Sequence, residues 1–116
     1  MHNFRELNIW VKSMDLSKEV LKISKSFPSD YKFSLSSQIV RSAVSIPSNI
    51  SEGSARTSDK EFSRFLDIAQ GSAYELETQL VLAESIDIIE QNKLQLLLKD
   101  LNDLQRMING FKKTLN

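Results

Sequence analysis

Arg41, Ser45, Asn49, Glu52 and Arg56 follow one another at spacings of four, four, three and four. On an α-helix such spacing sets side chains one above another on a single face. Further along, Gly71, Glu75 and Gln79 repeat the pattern. The groups offered are guanidinium, hydroxyl, amide and carboxylate, the chemistry of hydrogen bonding and ion pairing. Glycine at the head of the second row lets another backbone approach closely. Two readings are open: an ordinary exposed helix face, or a satisfied network between two helices or between subunits. Pro47 lies inside the first row, and proline is a costly choice for a plain exposed helix surface. Nothing in either row supplies an activated nucleophile or a group that titrates near neutrality, so catalysis is not the expectation.

The remaining chemistries are thinly represented. His2 is the only histidine and is expected to be a solvated terminal side chain. There is no cysteine, which removes disulfides, thiolate metal sites and thiol nucleophiles. Glu75, Glu77 and Glu84 have no Glu-x-x-His partner of the kind that holds metals in helical bundles. Gly53, Gly71 and Gly110 are isolated, so no phosphate-cradling loop is present. No metal or other cofactor is therefore expected. Lys18, Lys22 and Lys25 form a basic stripe at spacings of four and three, and Arg56, Lys60 and Arg64 make a second, looser group. Such stripes are usually soluble faces, but they can also track phosphates. Fifteen Lys and Arg balance fifteen Asp and Glu. The balance hides an asymmetry: residues 1–28 carry five positive and three negative charges, residues 58–86 two positive and six negative. A dedicated nucleic-acid binder shows a stronger basic excess. Opposite charge on two helices suggests attraction between neighbouring helices or subunits.

Four helices must position these residues. The 116-residue, 13.2 kDa chain suits one domain, and 3 Gly with 2 Pro leave little for tight turns. The first helix is predicted to start at Asn3, with Glu6 completing a capping box. Its apolar face reads Leu7, Trp10, Val11, Met14, Val20, Leu21 and Ile23, and Phe27-Pro28 ends it. Residues 28–34 connect to a second helix capped by Ser34, whose stripe is Leu35, Ile39, Ala43, Ile46 and Ile50. The stripe stays in register across Pro47, which predicts one kinked helix rather than two short ones. Gly53 and Ser54–Thr57 end it. Ser58 and Glu61 make a capping box for the third helix. Phe62, Leu66, Ala69, Ala73, Leu76, Leu80 and Ala83 then alternate spacings of four and three as far as about Ile86. Asp87 is placed to take the left-handed conformation at the helix end. The fourth helix carries Leu94, Leu97, Leu101, Leu104, Ile108, Phe111 and Leu115. Short links make neighbours antiparallel, so the prediction is an all-α, up-down-up-down four-helix bundle. No apolar run approaches the roughly 20 residues that span a bilayer, and Met1–Trp10 has no signal-peptide core. A soluble cytoplasmic protein, without membrane contact, is the expectation.

The same central residues carry a family resemblance. Ser37–Arg56, SQIVRSAVSIPSNISEGSAR, and Glu61–Leu80, EFSRFLDIAQGSAYELETQL, closely resemble the two signature regions of the 23S rRNA intervening-sequence protein family. The opening FRELNIWVKSMDL is similar to the family's start. The resemblance implies a four-helix bundle with a kinked second helix and a ring-shaped homo-oligomer, with five copies. It also implies association with RNA or a nucleoprotein process. Family members were first noticed as reading frames within insertions in bacterial 23S rRNA genes, and a related, strongly basic branch assists a reverse transcriptase. This chain departs from that branch in its net charge of zero and its acidic third helix. The positions matching the signature, Arg41, Asn49, Glu52, Gly53, Gly71, Glu75 and Gln79, bring no catalytic role with them. The leading expectation is a non-enzymatic oligomeric scaffold. The alternative is a protein-interaction module that makes no nucleic-acid contact.

Overall fold

The computed structural model describes residues 2–115. Four helices dominate it: α1 (Asn8–Ser24), α2 (Ser37–Ser54), α3 (Asp59–Ser85) and α4 (Gln91–Lys112), with no strand among the described residues. α1 packs on α2 and α4, and α3 likewise packs on α2 and α4, so α1 and α3 stand diagonally across the bundle. Side-chain pairing gives the directions. Ser45 meets Ser72 while Gly53 lies against Phe62, so α2 and α3 run oppositely. Lys12 pairs with Asp100 while Glu19 pairs with Lys93, which opposes α1 and α4. Asp67 pairs with Lys112 while Glu77 accepts from Gln105, which opposes α3 and α4.

The seams of α3 and α4 form the centre of the core. Phe62, Leu66, Ala69, Ala73, Leu76, Leu80 and Ala83 are buried, as are Leu94, Leu97, Leu101, Leu104 and Ile108. Each fully buried Leu, Ile or Phe contributes about 1.5–3 kcal/mol relative to leaving it in water. Ser58 caps α3 as its spacing predicts, its side chain accepting from the Glu61 N–H at 3.1 Å. At the other end Asp87 adopts φ 63°. The Ile88 N–H reaches the Ala83 carbonyl at 2.9 Å and the Asp87 N–H the Glu84 carbonyl at 3.0 Å. These are the two bonds of a Schellman ending, which satisfies carbonyls that a helix terminus otherwise leaves open. The 27 residues of α3 span about 40 Å at the usual helical rise, nearly the molecule's 44 Å long axis.

α2 runs unbroken from Ser37 through Pro47 to Ser54. Proline has no N–H for the carbonyl four residues back, here that of Ala43. The Ser17 hydroxyl of α1 donates to that carbonyl at 2.9 Å in a buried setting. A neighbouring helix thus supplies the donor that the proline withholds.

Three local expectations are corrected. Asn3 caps a short 3-10 turn, Phe4–Glu6, its side chain accepting from Arg5 rather than Glu6. Leu7 is extended and α1 begins at Asn8. The core face of α1 is Ile9, Ser13, Leu16, Ser17 and Val20, whereas Val11 and Leu21 are 44% and 40% exposed. A serine in the seam breaks the apolar pattern, and the neighbouring stripe of larger apolar residues masks it. Ser34 does not cap α2: it lies in a π turn, Lys32–Ser36, and serves only through its carbonyl, which accepts from the Ser37 hydroxyl at 3.3 Å.

Candidate interaction surface

α2 and α3 place the two polar rows side by side. Between them lies a cleft of about 400 Å³ lined by Gln38, Arg41, Ser42, Ser45, Ser72, Glu75 and Gln79. Four residues singled out by spacing, Arg41, Ser45, Glu75 and Gln79, therefore share one site. At its floor the Asn49 amide donates to the Ser45 carbonyl at 2.8 Å and to the Ser45 hydroxyl at 3.0 Å. Ser45 Oγ lies 2.8 Å from Ser72 Oγ. Because Ser45 accepts from Asn49, its own proton is free to go to Ser72. One hydrogen bond therefore links the two helices here, from Ser45 of the first row to Ser72, a residue outside both rows.

The rest of the row divides. Glu52 and Arg56 form their own pair at 3.1 Å, one turn apart, with the Arg56 guanidinium 4.8 Å above the Phe65 ring. Arg41 and Glu75 are exposed on the rims of the cleft and make no ion pair among the described residues. Gln79 presents a buried Oε1 with no donor among the described residues. A buried acceptor in that condition costs about 1–3 kcal/mol until a donor reaches it. Gly71 is exposed, and a Cβ built on it meets nothing within 4 Å. Among the described residues the close approach expected at Gly71 does not occur. It occurs instead at Gly53, where a Cβ would fall 2.6 Å from Phe65 Cβ.

The two basic groups are far apart. Lys18 and Lys22 line a second cleft with Lys12, Asp15, Glu19 and Asp100, near the start of α4. Lys22 lies 3.9 Å from Glu19, which also pairs with Lys93 at 3.7 Å. Lys25 caps the far end of α1. Lys60 and Arg64 sit beside Ser63 and Leu115 at the opposite end of the bundle. Among the described residues these two groups form no continuous basic band. His2 is half-buried rather than freely solvated, its side chain 35% exposed. It packs 5.1 Å from the Phe62 ring and 5.9 Å from the Phe111 ring, and its backbone N–H reaches the Ser54 carbonyl at 3.1 Å.

Sequence spacing missed three polar residues of consequence. Ser17 and Ser72 are single serines with no local pattern to mark them. Gln70 is 8% exposed and joins α3 to α4, its amide donating at 3.0 Å to both the Gln105 carbonyl and Asn109. Its position beside the Ala69 and Ala73 seam was the available signal. Among the described residues no group of three or more His, Cys, Asp or Glu is placed to hold a metal, and no helix is long and apolar enough to cross a membrane. With hydroxyls, amides, a guanidinium and a carboxylate along its walls, the cleft is equipped to bind polar groups.

A family model described as 23S rRNA-intervening sequence protein matches residues 5–110. A crystal structure of a protein of unknown function from the S23 ribosomal protein family of Bacteroides thetaiotaomicron is similar over 90% of this chain and 98% of its own. The two share 26% identity with a TM-score of 0.84. No curated protein matches the chain.

Proposed function

The chain belongs to the 23S rRNA-intervening sequence protein family, and from that premise we propose that it is a non-catalytic scaffold that assembles from several copies of itself and serves an RNA-associated process. The observation that carries this reading is the outer face of α3. Ile68 and Leu82 are each 53% exposed there, and Gly71 stands between them with open space above it. Glycine inside a helix costs about 1 kcal/mol relative to alanine, and among the described residues nothing uses the room it leaves. A face with large apolar residues flanking a glycine suits close approach by another helix. The family resemblance adds a ring as the form of assembly, with five copies.

Sedimentation equilibrium at micromolar concentration tests the reading. Several times the 13.2 kDa chain mass is expected, and a clean monomer overturns it. The separation of Lys18, Lys22 and Lys25 from Lys60 and Arg64 favours a second reading for the partner: contact with protein only, without nucleic acid. Absence of any binding to single-stranded RNA at low salt would select that reading over the first.

A further inference from the structure

Across the bundle from the α3 ridge, α1 and α2 enclose an apolar groove of about 340 Å³. Its walls include Trp10, Met14 and Leu21 from α1 and Val44 from α2, with Pro47 beneath and Lys18 at the rim. Leu21 and Val44 are 40% and 41% exposed. On α3 the exposed residues Ile68, Glu75 and Leu82 recur every seven positions, which makes a raised line on one side of the helix. From Ile68 to Leu82 that ridge is about 21 Å long, and Trp10 to Leu21 along the groove is about 16 Å, at the helical rise of 1.5 Å per residue.

We propose that the α1/α2 groove of one copy receives the α3 ridge of the next, with Lys18 at the groove rim facing Glu75 at the ridge centre. This rests on the self-assembly reading above and names its contact. Charge complementarity identifies the occupant as a second copy. Neither Lys18 nor Glu75 has an ion-pair partner among the described residues. The groove helix belongs to the segment with five positive and three negative charges, the ridge helix to that with two positive and six negative. Apolar ridge residues flank the acidic one as apolar groove residues flank the basic one. Gly71 removes a side chain beside the ridge, so the groove wall can approach the α3 backbone. Groove and ridge are different patches on diagonal helices, so the contact is heterologous, the type that generates rings when its rotation closes.

The full chain is compared with Lys18→Glu, with Glu75→Lys and with the doubly reversed variant by sedimentation equilibrium, with circular dichroism recording helix content. Each single reversal sets like charges against each other and raises the dissociation midpoint about tenfold or more. The double reversal returns it to near the wild-type value. Single variants that assemble like wild type overturn the contact, as does a helical double variant that stays dissociated. Because the chain has no native cysteine, a second readout stands apart from stability. Equimolar Lys18→Cys and Glu75→Cys chains, mixed and treated with a short bismaleimide whose two ends each add to one thiol, yield cross-linked heterodimers, and their absence overturns the proposal. An oligomeric wild type that fails these tests removes only the groove–ridge contact. A monomeric wild type overturns self-assembly itself and this contact with it.

Discussion

Replacing Ser17 with alanine tests the account of how α2 tolerates its proline. Ser17 is 6% exposed, and its hydroxyl donates at 2.9 Å to the Ala43 carbonyl, the one that Pro47 leaves without a helical donor. Removing the hydroxyl leaves a buried acceptor unpaired, at a cost of about 1–3 kcal/mol. Pro47→Ala restores the N–H. It gains about 3 kcal/mol of helix propensity and loses about two buried methylenes, worth about 0.8 kcal/mol each. The proline variant should thus be more stable than wild type by about 1 kcal/mol. In that background Ser17→Ala should be close to neutral, because the backbone already satisfies the carbonyl. The double-mutant cycle therefore has an expected coupling of about 1–3 kcal/mol, within the range seen for residues sharing one network. Urea unfolding followed by helical circular dichroism gives all four stabilities. If Ser17→Ala costs the same beside proline and beside alanine, the hydroxyl is not compensating for the proline and the reasoning fails.

Other substitutions have definite expected outcomes. Gly53→Ala should lose about 1–3 kcal/mol in thermal unfolding by forcing a Cβ into Phe65, so a stabilised variant would contradict the packing of α2 on α3. Ile50→Asp, at a position with no exposed surface, should abolish the cooperative unfolding transition by burying an unpaired charge. Ser58→Ala should cost about 1 kcal/mol through loss of the α3 cap, measurable as a lower denaturation midpoint at unchanged slope. RNA binding, assayed by fluorescence anisotropy, should be detectable at low salt, be largely gone near physiological salt, and be weakened by Lys22→Glu and Lys25→Glu.

The degree to which the structure was readable beforehand varies from helix to helix for physical reasons. α3 and α4 were legible because their inward positions are apolar in an unbroken three-four rhythm, and because Ser58 and Asp87 carry the local chemistry of helix ends. α1 was misread because Ser13 and Ser17 occupy inward positions that a hydrophobicity pattern discounts. Their reason lies in another helix: Ser17 answers a proline 30 positions away. The Asn3–Glu6 signature was genuine local chemistry, but the extended backbone at Leu7 confined it to a 3-10 turn. Gly53 resembled a helix terminator, yet no glycine here has positive φ, and what it supplies is space for Phe65. In the cleft, spacing alone placed Arg41, Ser45, Glu75 and Gln79 on facing helices. It could not reveal Ser72, because the pairing of one serine with another depends on the register between α2 and α3.

The polar row on α2 and α3 has two mechanical jobs, and they explain its mixture of residue types. Small hydroxyls and one amide, Ser45, Ser72 and Asn49, satisfy one another in the middle, where α2 and α3 come close. Long charged groups, Arg41 and Glu75, stay at the rims, where water solvates them in a single chain. Burying such a charge without a partner costs several kcal/mol. A second copy approaching this face must therefore answer Glu75 with a cation, and copies lacking one are rejected. In the assembly proposed above Lys18 is that cation. Its engagement subtracts it from any phosphate-tracking stripe and leaves Lys22 and Lys25 near one end of the bundle and Lys60 and Arg64 at the other. A ring of such copies would array these residues as two separate rims, so any attraction for RNA would arise from repetition around the ring. Linked weak sites raise effective concentration, and that gain disappears when the ring dissociates. Lys18→Glu should consequently weaken RNA binding far more than the loss of one charge per chain would, and Glu75→Lys should weaken it too despite adding positive charge. Stronger binding by a dissociated Glu75→Lys chain would show that local charge, not assembly, governs the interaction.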